Sequence, residues 1–309
     1  MLGLCCQYIE NRTKRNGTVE TINIIEEQGL QYGQFLKGKY TNAQVEAAWV
    51  NNAQELLKIL KRVNNEGIKL FRVSSTLLPL YDSLPDLLRN CQAAKDVLAE
   101  AGKFVLDNQM RITTHPDQFV VISSNKQDVI NNSIRMLNHH AWMFDQMGLP
   151  VSPYYAINIH GGTKGNITTL IDSIKKMGSN ARGRLTLEND ERSYDVSELF
   201  KVYEETGVPV CWDSHHHTFN DAGLSLPDAL NLAKRSWGNV RPLTHLSNTD
   251  PSLVNGSFTE KRKHSDYVHY VPDCQLLGNN AGEIDIELEF KMKNMALFKA
   301  VKDFNLNLV

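Results

Sequence analysis

Arg184-Leu185-Thr186-Leu187-Glu188-Asn189-Asp190, then Ser197-Glu198-Leu199-Phe200-Lys201-Val202-Tyr203, then Gly207-Val208-Pro209-Val210-Cys211-Trp212-Asp213 follow one another in the chain. The first is a short apolar run that ends in acids. The second carries apolar residues at helical spacing, and Gly207 and Pro209 mark its stop. The third is again a short apolar run ending in an acid. Strand, helix and strand in this order make one unit of a parallel sheet.

The same unit recurs on both sides. Short β-branched, apolar runs occupy 3–6, 69–73, 111–114, 155–160, 184–188, 208–212, 241–246 and 284–290. Helical patterns lie between or after them at 42–65, 85–101, 126–147, 168–176, 195–206, 226–236 and 292–303. In the first of these, Asn42-Ala43-Gln44-Val45 opens into Ala47, Ala48, Leu56, Leu57 and Leu60, with Gly67 as the stop. Eight alternations predict an α/β fold in which residues 1–309 form a single (β/α)8 barrel of the TIM type. A doubly wound open sheet would carry a glycine-rich phosphate loop after its first strand, and Cys5-Cys6-Gln7-Tyr8-Ile9-Glu10 has none. The segment 10–40, with Arg12, Lys14, Arg15, Lys37 and Lys39, exceeds an ordinary connection and is expected to lie over the barrel mouth.

Composition excludes several classes. With 41% hydrophobic and 22% charged residues, the 309-residue chain is not collagen-like, low in complexity or largely disordered. Its apolar runs are far shorter than the ~20 residues that span a bilayer, so no membrane partner is expected. Met1-Leu2-Gly3-Leu4-Cys5-Cys6-Gln7 lacks the basic and apolar regions of a secretory signal, and an intracellular location is expected. A net charge of −2 gives no overall pull toward nucleic acid, although a basic groove could be offset elsewhere. Five cysteines without a CxxC pair argue for reduced thiols rather than disulfides or a zinc ribbon. The ten histidines, in contrast, all lie at or after His115.

In such a barrel the C-terminal strand ends converge on one face. Six consecutive runs end there in His115, His160, Glu188, Asp213, His245 and Glu289. Further histidines, His215, His216 and His217, stand just past Asp213, and at most one or two of these can face the site. Asp285 and Glu287 share a face with Glu289 but lie deeper. Six such groups on one rim need a common partner, because buried unpaired charge is costly. A cluster of divalent cations supplies it, and mixed imidazole and carboxylate suits manganese, zinc or iron better than magnesium or calcium. His264 has a solvent-loop alternative, His139 and His140 read as a helix away from the mouth, and His269 as ordinary. Two or three metals side by side suit phosphodiester hydrolysis, in which one activates water and another stabilises the leaving oxygen. Sugar isomerases use the same barrel with two carboxylate-rich sites; the number of histidines favours the nuclease.

Phe71-Arg72-Val73-Ser74-Ser75, Thr114-His115-Pro116-Asp117-Gln118-Phe119-Val120, Asn158-Ile159-His160-Gly161-Gly162 and Leu187-Glu188-Asn189-Asp190 occur in order. Trp212-Asp213-Ser214-His215-His216, Thr244-His245-Leu246-Ser247, His264-Ser265-Asp266-Tyr267-Val268 and Glu289-Phe290-Lys291-Met292-Lys293 follow. Together they resemble the motif set of the UV-damage endonucleases over essentially the whole chain. The resemblance implies a barrel nuclease that nicks damaged double-stranded DNA immediately 5′ of a UV photoproduct, leaving a 3′-hydroxyl and a 5′-phosphate. It implies two to three divalent ions, manganese first, held by His115, His160, Glu188, Asp213, His216, His245, His264 and Glu289. Glu188 would bridge two of them, and Glu188, Asp213, His245 and Glu289 would carry the catalysis. Gln118 and Phe119 match the pair that enters the duplex at the lesion, where an amide can fill a vacated pairing position and a ring can replace lost stacking. The alternative for Phe119 is a core aromatic beneath its loop.

The chain departs from the family at three places. Leu243 stands where a modified lysine usually binds metal, Ser83 is the nearest counterpart of a histidine after the Arg-x-Ser-Ser motif, and Gln7 and Tyr8 differ at the first strand. Either one metal has fewer protein ligands and more water, or its affinity or identity differs. Arg72, Lys164 and Arg192 are the expected DNA contacts, with Lys261 and Arg262 as further candidates to hold backbone phosphates. The expected protein is a monomer. An apurinic-site endonuclease, a sugar isomerase and a metal-binding relative without activity are the remaining alternatives.

Overall fold

A computed structural model describes residues 1–309. Its strands are β1 (Leu2–Cys5), β2 (Ile9–Thr13), β3 (Val19–Asn23), β4 (Leu70–Val73), β5 (Arg111–Thr114), β6 (Ile157–His160), β7 (Leu185–Glu188), β8 (Val210–Asp213), β9 (Leu243–Leu246) and β10 (Asp285–Leu288). All but β2 and β3 form a closed parallel barrel, sealed where β1 pairs with both β10 and β4. The expected TIM barrel is therefore the observed fold, with each strand within two residues of its expected start and end.

Helices cover the outside as the pattern required. Asn42–Asn65 begins with a capping box in which Thr41 and Gln44 satisfy each other's backbone N–H groups. Val196–Thr206 begins with the same device from Asp195 and Glu198 and ends at Gly207, whose φ of +74° is the left-handed stop. One expectation needs correction: 85–101 is two helices, Pro85–Asn90 and Gln92–Asp107, parted at Cys91, whose ψ of 83° is not helical. Packing is close where the second of these helices passes Met147. A Cβ on Gly102 would stand 1.7 Å from the Met147 carbonyl oxygen, so that oxygen's backbone would have to move. Gly102→Ala is expected to cost about 2 kcal/mol or more, measured by urea denaturation.

Alternation along the strands builds two distinct interiors. Outward residues such as Leu4, Phe71, Ile112, Leu187 and Trp212 join the helices in a core of 64 buried residues. Inward residues fill the barrel in layers. Leu70, Ala156, Cys211 and Leu243 form an apolar floor with Met1 and Trp237. Above it lie polar groups, and the strand ends carry the acids and imidazoles. Gly3 has no side chain because a Cβ there would meet Leu70 Cγ at 2.5 Å.

The segment 10–40 does not fold over the mouth as one loop. Strands β2 and β3 pair as an antiparallel hairpin that runs down the outer wall. Arg62, in the last turn of helix Asn42–Asn65, lies 3.1 Å from Glu10, and the Tyr8 hydroxyl donates to Glu66 at 2.6 Å. Only residues near Gly29–Tyr32 come back beside the mouth, where they line a cavity with Ser75, Thr76 and Asp117.

Helix Gln127–Gln146 carries His139 and His140, and neither belongs to the ligand trios described below. His139 stacks on Tyr81, and His140 is a core residue at 2% exposure. Burial pulls the His140 imidazole from 6.5 down to about 4. The unfolded chain therefore takes up a proton near pH 6.5 that the folded chain refuses until about pH 4. Stability from this group is present above pH 6.5 and is lost as pH falls toward 4. Over that window the metal-free protein is expected to lose about 3 kcal/mol in urea denaturation through this residue, and His140→Leu should flatten the dependence.

Candidate metal centre

Glu188, the last residue of β7, is the hub. Its Oε2 accepts from Asn158 Nδ2 at 2.5 Å and lies 3.1 Å from both His115 Nε2 and His245 Nδ1. Its Oε1 is 3.3 Å from His216 Nδ1. Thr186 Oγ1 donates to Asn158 Oδ1 at 2.7 Å and so fixes the amide that holds Glu188. The motif Leu187-Glu188-Asn189-Asp190 thus divides its labour. Glu188 faces the centre, whereas Asn189 ties β7 to β8: it donates to the Asp213 carbonyl at 3.0 Å and accepts from the Asp213 N–H at 2.8 Å. Asp190 accepts from the backbone N–H groups of Arg192, Ser193 and Tyr194 and sets the turn that follows.

The histidines are aimed by their second nitrogens. His115 Nδ1 lies 3.0 Å from the Pro116 carbonyl and donates to it, which turns Nε2 toward the Glu188 carboxylate. His160 presents a buried Nδ1 with no protein partner, and Asp213 a buried Oδ2 with none. Asp213 Oδ1 accepts from the His216 N–H at 2.7 Å, which caps the short helix Ser214–His217. Only His216 of that histidine run faces the centre. His217 Nε2 donates to the Leu224 carbonyl, and His215 packs edge-on to the rings of Phe219 and His264.

Three overlapping trios have ligand atoms within 4.8 Å of one another: His115–His160–Glu188, Glu188–Asp213–His216 and Asp213–His245–Glu289. His264 Nδ1 stands 3.7 Å from Glu289 Oε2 at the rim. All eight expected ligands therefore come together. The orphaned atoms and the three trios fit a group of divalent cations. Electrostatics agree. Burial alone would lower His216, but the carboxylates of Asp213, Glu188 and Glu191 outweigh it and push the imidazole up to about 10. Burial would raise Glu188, yet His245, His160, His115 and His216 hold it well below the usual carboxylate range. A pocket that draws a proton so strongly onto an imidazole is one that lacks positive charge.

The expected DNA contacts divide. Gln118 and Phe119 stand exposed on the loop after β5, Phe119 at 73% exposure, so the core alternative for this ring is overturned. The loop is pinned on both sides: Asp117 accepts from Ser75 Oγ at 3.1 Å, and Val120 and Ile122 are buried. Gln118 lines a cavity of about 360 Å³ with His115, His160, Glu191, Arg192 and Arg262. Arg192 is exposed and lies over the Phe258 ring at 4.9 Å; Lys164 is exposed in the loop after β6. Lys261 is half-buried, and Arg262, also half-buried, is ion-paired to Glu191. Arg72 does not belong with these. It is buried inside the barrel against Glu287, Glu289 and His245, out of reach of a phosphate backbone.

Four residues that shape this centre had no role assigned from the sequence. Asn158 holds Glu188, and Asn189 splints Asp213. Glu287 binds Arg72 and Thr113, with burial opposed by Arg72, His245 and Thr113 so that its carboxyl is held down at about 2. Gln275 donates to Thr244 Oγ1 at 3.1 Å and to the His245 carbonyl at 2.9 Å, behind the ring that faces Glu188. Leu243 lies in the apolar floor and offers no ligand. Ser83 is half-buried in the loop after β4, beside Asp82.

The family model for UV-endonuclease UvdE matches residues 4–308. The UV DNA damage endonuclease of Nostoc sp. is 31% identical over 252 residues, covering 79% of this chain and 75% of that protein. That of Deinococcus radiodurans is 32% identical over 251 residues, 77% of each. The crystal structure of SacUVDE superposes with a TM-score of 0.79 at 26% identity over 99% of both chains. The Escherichia coli 3-keto-D-glucoside 4-epimerase, with a TM-score of 0.55 and 12% identity over 81% of this chain and 94% of that one, shares the fold alone.

Proposed function

Because the chain belongs to the UV-endonuclease UvdE family, we propose that it nicks duplex DNA immediately 5′ of UV photoproducts by phosphodiester hydrolysis, leaving a 3′-hydroxyl and a 5′-phosphate. The observation that carries this reading is the meeting of three imidazoles on the single carboxylate of Glu188, with His160 in the same ligand trio, next to an exposed Gln118-Phe119 pair. Residues 1–309 act as one catalytic unit and as a monomer. No helix is long and apolar enough to cross a membrane.

His115, His160, Glu188, Asp213, His216, His245, His264 and Glu289 would hold divalent ions, manganese first. Such ions lower the pKa of bound water and neutralise charge on the phosphoryl oxygens. The chain's own residues do the rest. Asn158 and Asn189 keep Glu188 and Asp213 in place without motion on binding, which is how preorganised sites avoid reorganisation cost. Phe119 enters the stack vacated by the displaced lesion, and the Gln118 amide takes the vacated pairing edge. Arg192 and Lys164 hold backbone phosphates on either side of the scissile bond.

One assay tests the reading. The protein is incubated with Mn²⁺ and with UV-irradiated, abasic or intact duplex oligonucleotides, and the nick is mapped. Cutting immediately 5′ of the photoproduct is expected, and chelation should abolish it. Cleavage confined to abasic DNA would overturn the photoproduct assignment. Ketose–aldose exchange without nicking would favour the isomerase.

A further inference from the structure

The floor of the centre holds a cation of its own. Arg72, on β4, reaches three partners at once. Its Nε donates to Glu287 Oε2 at 2.6 Å, and its Nη1 lies 2.5 Å from Glu289 Oε1. Its Nη2 lies 2.9 Å from His245 Nε2 and 3.4 Å from His245 Nδ1. Two members of the trio Asp213–His245–Glu289 are therefore already bonded to a positive charge. The Glu289 oxygen that Arg72 takes is the one facing His245 Nδ1 at 3.3 Å. A metal–oxygen bond is about 2.1 Å, so an ion on that oxygen would sit within about 5 Å of a guanidinium that never deprotonates.

The trios His115–His160–Glu188 and Glu188–Asp213–His216 differ in this respect: no lysine or arginine is paired with any of their members. Leu243 adds no ligand from below, since it is closed into the apolar floor.

We propose that Arg72 permanently occupies the third ion position, so that the chain binds two divalent ions and uses a guanidinium as the third cation. The inference rests on the metal reading of the centre given above, and the test separates the two. The full chain is dialysed to equilibrium against rising Mn²⁺, and bound manganese is counted by plasma mass spectrometry. Two ions per chain are expected at saturation. Arg72→Met keeps the length and burial of the side chain but frees Glu289 and His245, and a third ion is expected in that variant. Three ions in the wild type would overturn the role of Arg72 and leave the metal centre standing, whereas none would remove both. A folded Arg72→Met variant that still binds two ions would also overturn the proposal. Should that variant not fold, the count is repeated with Arg72→Gln, which keeps a hydrogen bond toward Glu287 but carries no charge, and the same third ion is expected.

Discussion

Glu188→Gln is expected to lower the nicking rate at a UV photoproduct by about a thousandfold or more while the protein stays folded. The substitution keeps the shape of the side chain and one oxygen for the Asn158 amide, so the polar layer of the barrel remains packed. What it removes is the negative charge on which His115, His216 and His245 converge. Without that charge both trios that contain Glu188 lose their only shared ligand. Bound manganese should fall together with activity. The measurements are a nicking assay on irradiated duplex, a metal count and a thermal melt. Wild-type nicking by this variant would rule out the chemistry proposed for the centre.

Phe119→Ala is expected to leave stability unchanged and to reduce preference for damaged over intact duplex by about 5- to 150-fold. The range follows from base–aromatic stacking, worth about 1–3 kcal/mol. Because the ring is 73% exposed, its loss opens no cavity in the protein. The readout is the ratio of affinities for irradiated and intact duplex at one fixed salt concentration, since salt alone moves both. Arg192→Ala and Lys164→Ala should behave differently, weakening both affinities alike, because a phosphate contact carries no information about the lesion. Equal weakening by Phe119→Ala would reduce that ring to one more backbone contact.

The barrel was legible because its signal is periodic. Each strand alternates between two buried faces, and each helix carries an apolar stripe, so the runs around Arg184–Asp213 repeat along the chain. Helix Asp273–Asn280 escaped detection for the opposite reason. Its buried positions are Gln275, Gly278 and Asn279, which hydrogen-bond or pack closely instead of presenting an apolar stripe. In the hairpin of β2 and β3 only Ile9 is buried, and the alternation along β3 is between exposed and half-buried residues, so it presents no core face. Its one signal was Asn16-Gly17, with Gly17 at φ +82° in the tight turn between the strands. His216 and His264 came from the family resemblance, whereas six candidate ligands, His115, His160, Glu188, Asp213, His245 and Glu289, followed from the strand ends, because residues at the ends of parallel strands share one rim. Arg72 did not, although parity would have placed it inward; a cation inside a barrel is intelligible only once Glu287 and Glu289 are seen around it.

The seam of the barrel has a consequence for how the protein comes into being. Strand β1 finds one of its two neighbours only in β10, whose residues lie more than 280 positions later, with Leu2 opposite Ile286. Pairings so remote in sequence form slowly, because the loop must close before any contact rewards it. A nascent chain therefore carries all of its histidines into solution before Glu289 exists to complete the rim. Until the ring closes, those histidines are scattered imidazoles on a flexible chain, and the capacity to cut arrives only with the last strand.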